Sequence, residues 1–107
     1  MGLLLDSAKV DEAGRAFALG YVSGVTTNPT LLASVAAKPE EVIQELCEMS
    51  PGPVFYQLSG PTVEEREREG IEFAAIDPKK VVLKIPCTSE NMSLAVRLCR
   101  DKFTCAA

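Results

Sequence analysis

"KKVVLKIPCT", residues 79–88, raises the question that decides how this chain folds. Lys84 lies within the run 81–85, one ammonium among four apolar residues, and Pro86 closes the run. The stretch reads as a buried strand. Side chains alternate along a strand, so Val82 and Lys84 share one face while Val81, Leu83 and Ile85 share the other. The second set suits packing under helices. A lysine on the first face either snorkels to water from an edge strand or is desolvated. Desolvation disfavours the ammonium and lowers the pKa from about 10.4. A neutral amine can attack a carbonyl and form an imine.

The segments on either side supply a repeating frame. Residues 2–6, "GLLLD", read as a first strand, and "VDEAGRAFALG" as a helix with Val10, Ala13 and Phe17 on one face and Gly20 as its stop. "VSGVTTN" (22–28) is a second strand, followed by a short helix opening at Pro29. "PEEVIQELCEM" has acids in its first turn and an apolar stripe of Val42, Ile43, Leu46 and Cys47. "PVFYQLS" (53–59) is a third strand. Residues 62–76 form a helix with a capping-box pattern at Thr62 and Glu65. Its run Glu64–Glu69 reads as a solvated face with Glu64 and Arg68 at i,i+4, leaving Val63, Ile71 and Ala74 for the core. After the fourth strand, "SENMSLAVRLCRD" is a helix with Met92, Ala95, Val96 and Cys99 on one side, and "FTCAA" begins a fifth strand.

Strand and helix thus alternate, which predicts a parallel sheet covered by helices. Periodicity leaves two architectures open. A five-stranded doubly wound sheet fits the length, and so does the first half of an eight-stranded barrel.

Composition narrows the chemistry. The 107 residues are 47% hydrophobic and 24% charged, which suits one soluble globular domain over 1–107. A net charge of −4 argues against a nucleic-acid or anionic-membrane surface. Cys47, Cys87, Cys99 and Cys105 form no C-x-x-C and no histidine accompanies them, so free thiols in a reducing cytoplasm are expected and a zinc site is not. "MGLLLD" is too short for a signal peptide or a membrane span. Neither G-x-G-x-x-G nor G-x-x-x-x-G-K-[ST] is present, and no cofactor or metal is expected.

Each of the first four strands carries polar residues near its C-terminal end. They are Asp6, then Thr26, Thr27 and Asn28, then Gln57 and Ser59, then Lys84. That edge is where parallel α/β folds build their sites. Each residue also has a plain structural reading. Asp6 can cap a turn, Thr26–Asn28 can form an Asx or Thr turn opening the next helix, and Gln57 can be a satisfied core amide. Tyr56 is expected to pack under a helix with its hydroxyl outward. Taken together, the polar set suits imine chemistry. By type, Lys84 suits the nucleophile, and a carboxylate (Asp6), two amides (Asn28 and Gln57) and a hydroxyl (Thr26) suit the proton shuttle and hydroxyl-orienting groups that the chemistry needs.

"LLLDSAKVDE", "GVTTNPTLLA", "FYQLS" and "VVLKIPCTSE" resemble, in order and spacing, segments of the small transaldolase family, particularly its fructose-6-phosphate aldolase-like branch. "GVTTNPTL" together with V-x-K-I-P-x-T is the specific pair. The resemblance implies a TIM-barrel fold, here the first four βα units plus the start of strand five. It implies that Lys84 forms the imine, that Asp6 contacts substrate hydroxyls and assists proton transfer, that Asn28 binds near the imine, and that Thr26 lines the pocket. Gln57 falls where many transaldolases carry a glutamate, which favours aldolase over transferase chemistry. The substrate implied is a small ketose or aldehyde, with or without a phosphate.

Family members run to about twice this length. The strand-six tyrosine and the serine and arginine that hold phosphate have no counterpart in the 107 residues. A half barrel exposes two strand edges and an interior face, so self-association or completion by a C-terminal half is expected. Two other readings remain at this point: an inactive half-barrel that only associates with a partner half, and a small doubly wound ligand-binding domain.

Overall fold

The computed structural model describes residues 3–100 and 103–106. Its elements follow in the order β1 (Leu3–Asp6), α1 (Val10–Ala18), β2 (Val22–Thr26), α2 (Pro29–Ala33), α3 (Pro39–Met49), β3 (Val54–Gln57), α4 (Val63–Ala74), β4 (Val81–Lys84), α5 (Ser89–Arg100) and β5 (Cys105–Ala106). Gly2, Asp101 and Ala107, which the sequence reading placed at element ends, lie outside the described residues.

Strand order separates the two architectures. The sheet runs β1-β2-β3-β4-β5, every pair parallel and every neighbour consecutive. A doubly wound sheet reverses its order at a switch point, whereas a barrel winds in one direction. The chain is therefore an α/β fold that forms part of a TIM barrel.

Local signals explain most of the boundaries. Gly20 ends α1 with φ of 88°, a left-handed conformation that costs other residues a Cβ clash. Pro29 and Pro39 each sit in the first turn of a helix, where no backbone donor is needed. Lys80 Nζ donates to the carbonyls of Cys47 and Ser50, both at 2.7 Å, and so closes the C-terminal end of α3. At the same end of the sheet a Cβ on Gly52 would overlap the Ser23 carbonyl oxygen, so only glycine lets that turn approach β2.

Thr62 caps α4, its hydroxyl accepting from the Glu65 amide at 3.1 Å. Thr62→Ala is expected to lower stability by about 1 kcal/mol, read from the urea midpoint at unchanged slope. A midpoint equal to that of the parent chain would show that the cap contributes nothing.

The core lies on one side of the sheet. Val25, Val54, Tyr56, Val81, Leu83 and Ile85 point to it and meet Ile43, Leu46, Phe73, Leu94 and Leu98 from the helices. The alternate residues Phe55, Gln57, Val82 and Lys84 are half-buried or exposed on the other side, as strand alternation requires.

Three helix and core expectations need correction. In α5 the buried residues are Asn91, Leu94 and Leu98, while Met92 and Val96 are more than half exposed. Apolar side chains occupy both sides of this helix, so period alone permits two stripes. In α4 the inward residues are Gly70, Phe73 and Ala74, and Ile71 is exposed. Among the described residues Glu64 and Arg68 form no ion pair. Arg97 pairs with Glu67 at 2.9 Å and Arg66 with Glu90 at 3.2 Å, joining α4 to α5. The Tyr56 hydroxyl is not outward, since the residue is 5% exposed and its ring stacks on Phe73 with centroids 3.7 Å apart.

Candidate functional site

Asp6, Thr26, Asn28, Gln57 and Lys84 lie on the uncovered face of the sheet at its C-terminal edge, while Thr27 and Ser59 do not join them. Register aligns them in two rows. Asp6 is opposite Thr26, Thr26 opposite Phe55 and Phe55 opposite Val82. Gln57 is opposite Lys84, two residues further along. Asn28 follows β2 on the parity of Thr26 and belongs to the same face.

Two contacts are formed within this face. Thr26 Oγ1 donates to Asp6 Oδ1 at 2.9 Å, locking the ends of β1 and β2 together. Asn28 Oδ1 accepts from the Leu31 amide at 2.9 Å and caps α2, so the Asx-turn reading holds. Thr27 points the other way; it is buried and its hydroxyl donates to the Phe55 carbonyl at 2.7 Å, tying β2 to β3.

Lys84 differs from its sequence reading. It is exposed, and it takes part in no side-chain hydrogen bond or ion pair of the described residues. The apolar neighbours that suggested burial, Val81, Leu83 and Ile85, lie on or lead to the helix side, where they are at most 3% exposed. Lys84 faces the side that no helix of the described chain covers, so desolvation is not supplied within these residues. Asp6 is three strands away, roughly 14 Å along the sheet at about 4.8 Å per strand, and does not touch the amine.

One supporting group escaped the sequence reading. Glu69 sits in the glutamate-rich run taken for a solvated face. Its carboxylate accepts from the Tyr56 hydroxyl, from the amides of Ser59 and Gly60 at 2.9 Å each, and from the Ser59 hydroxyl at 3.3 Å. Burial first, and then the bond to Glu69, push the Tyr56 phenol well above its usual range. The signal was the i,i+4 spacing of Glu69 and Phe73, which places both on the buried stripe. This network fixes the loop that follows Gln57. Beside it a groove of about 320 Å³ is lined by Leu32, Val35, Pro39, Tyr56, Gln57 and Ser59.

The family description "Transaldolase/Fructose-6-phosphate aldolase" matches residues 3–107. The chain belongs to that family. Among curated relatives it is similar to a "Probable transaldolase" of Desulforamulus reducens, 40% identical over 102 residues, which is 95% of this chain and 46% of that protein. A "Probable transaldolase" of Roseiflexus sp. is 39% identical over 106 residues, covering 98% of this chain and 48% of the relative. The Clostridium perfringens SM101 "Probable transaldolase" is 40% identical over 92 residues, 86% of this chain and 42% of its own. This transaldolase-family chain therefore spans about half the length of the curated relatives it matches. Its family is enzymatic, and no helix of the described residues is long and apolar enough to cross a membrane.

Proposed function

We propose that these residues carry the imine-forming half of a class I aldolase of the fructose-6-phosphate aldolase/transaldolase type. The observation that carries this reading is the placement of Asp6, Thr26, Asn28, Gln57 and Lys84 on one uncovered face at the C-terminal edge of a barrel-type sheet. Lys84 Nζ, deprotonated, attacks the ketone carbon of a small ketose and water leaves, giving a protonated imine. The imine accepts the electron pair of the adjoining carbon–carbon bond as that bond breaks, and it returns the pair when the bond forms. Asp6, held by Thr26, orients a substrate hydroxyl and takes part in proton transfer. Asn28, Thr26 and Gln57 bind donor hydroxyls. The amide at position 57, in place of a carboxylate, favours aldol cleavage over dihydroxyacetone transfer.

The exposure of Lys84 supports a second element of the proposal. The described residues leave the amine in water and leave Asp6 far from it, so the site works once the open face is covered by a C-terminal half, in a cytoplasmic assembly. The chain alone is then a binding module for that half.

Borohydride trapping tests both points. Dihydroxyacetone and borohydride are added to the 107-residue chain, and separately to the chain with a C-terminal half supplied by a relative. A covalent adduct is expected on Lys84 in the complemented sample and not on Lys84→Ala. Adducts on other lysines in both proteins would overturn the assignment. Equal trapping and aldol turnover with and without the second half would overturn the need for completion.

A further inference from the structure

Three of the four cysteines border one cavity on the far side of β4. A groove of about 200 Å³ runs between the loop after β4, one face of α5 and strand β5, with Cys87, Asn91, Ala95, Cys99 and Cys105 among its walls. The walls are mainly apolar, and the buried Asn91 Oδ1 has no hydrogen-bond partner among the described residues. All the thiols are free; Cys87 and Cys99 are exposed and Cys105 is half-buried. Cys99, near the end of α5, and Cys105, at the start of β5, both border this groove, whereas Cys87 precedes α5 at its opposite end; the Cys105 thiol donates to the Phe103 carbonyl at 3.7 Å. Cys105 is opposite Leu83 and points to the helix side, away from the face that carries Lys84.

We propose that Cys99 and Cys105 are a dithiol oxidised to an intramolecular disulfide by small disulfides of the glutathione type, which reach the pair through this groove. The exposed Cys99 thiolate attacks one sulfur of the reagent and expels one small thiolate, leaving a mixed disulfide on Cys99. Cys105 then loses its proton to solvent and attacks the Cys99 sulfur, expelling the second small thiolate. Two electrons pass from the protein to the reagent, whose S–S bond becomes two thiols. The order of attack follows from environment. Burial first, and then the neighbouring Cys99, hold the Cys105 thiol up to about 11, so it is the poorer first nucleophile and becomes the resolving group once Cys99 is derivatised. The bridge ties β5 to α5. Because Ala106 is opposite Lys84, it acts on the strand directly beside the candidate nucleophile.

The reduced chain is treated with excess oxidised glutathione, and the product is read by thiol count, intact mass and peptide mapping. The expected product has lost the Cys99 and Cys105 thiols, carries no glutathionyl group on either of them, and yields a peptide joining Cys99 to Cys105, whatever glutathione the exposed Cys87 takes up. Cys105→Ser is expected to stop with one glutathionyl group on Cys99, and Cys87→Ser to behave as the parent. A stable mixed disulfide on Cys99 of the parent chain, a bridge that includes Cys87, or unchanged thiols would each overturn the proposal. The parent's product map decides the matter even where a serine variant fails to fold.

Discussion

Lys84→Ala, in the protein completed by a C-terminal half, is expected to reduce aldol turnover by a factor on the order of 10⁴ or more, while stability stays within about 0.5 kcal/mol of the parent. The two halves of this result have different origins. Lys84 is exposed and holds no partner among the described residues, so its removal breaks no contact of the fold. The chemistry, by contrast, has no substitute for a primary amine that can become an imine. Lys84→Arg separates the nucleophile from its charge. A guanidinium keeps the cation but does not deprotonate, so this variant is expected to be as inactive as alanine. Turnover near the parent level in the arginine variant would sink the imine reading and recast Lys84 as a charge that binds substrate. Turnover and urea unfolding measured on the same preparations check both parts.

Glu69→Ala is expected to cost about 3 kcal/mol, much more than an ordinary acid on a helix surface. The carboxylate accepts from Tyr56, which is buried, and from the Ser59 and Gly60 amides. Hydrogen bonds to a charged acceptor are the stronger kind, and truncation leaves the Tyr56 hydroxyl without its partner in a site closed by the Phe73 ring. The backbone amides are nearer the surface, so water replaces part of the loss there. Tyr56→Phe removes one donor and leaves the rest, so a smaller loss of about 1 kcal/mol is expected. Both values come from urea unfolding at equal slope. A Glu69→Ala chain as stable as the parent would show that the loop after β3 does not depend on this carboxylate.

The frame of the fold was legible because its signals are local. Pro29, Pro39, Gly20 and Thr62 each announce a helix boundary through the backbone donor, φ angle or side-chain acceptor they supply. Strand order was not legible, since it depends on which strands pair and short apolar runs look alike in either winding. The face of α5 was misjudged because Met92 and Val96 offer as apolar a stripe as Leu94 and Leu98, and only packing against α4 and the sheet chooses between them. Lys84 shows a related limit. Its chain neighbours are buried, yet neighbours along a strand lie on opposite faces, and what covers each face is decided by distant parts of a protein. Glu69 was hidden by its company, one acid of several in a run, and only its spacing from Phe73 marked it as turned inward.

The cap that Asn28 forms on α2 limits what it can offer a ligand. One lone pair of its oxygen is taken by the Leu31 amide, and no protein partner holds its two N–H hydrogens among the described residues. A group that brings lone pairs, as a carbonyl or hydroxyl oxygen does, can take both of those hydrogens, whereas a donor meets only the second lone pair of the oxygen. An aspartate at this position would preserve the helix start while reversing that preference.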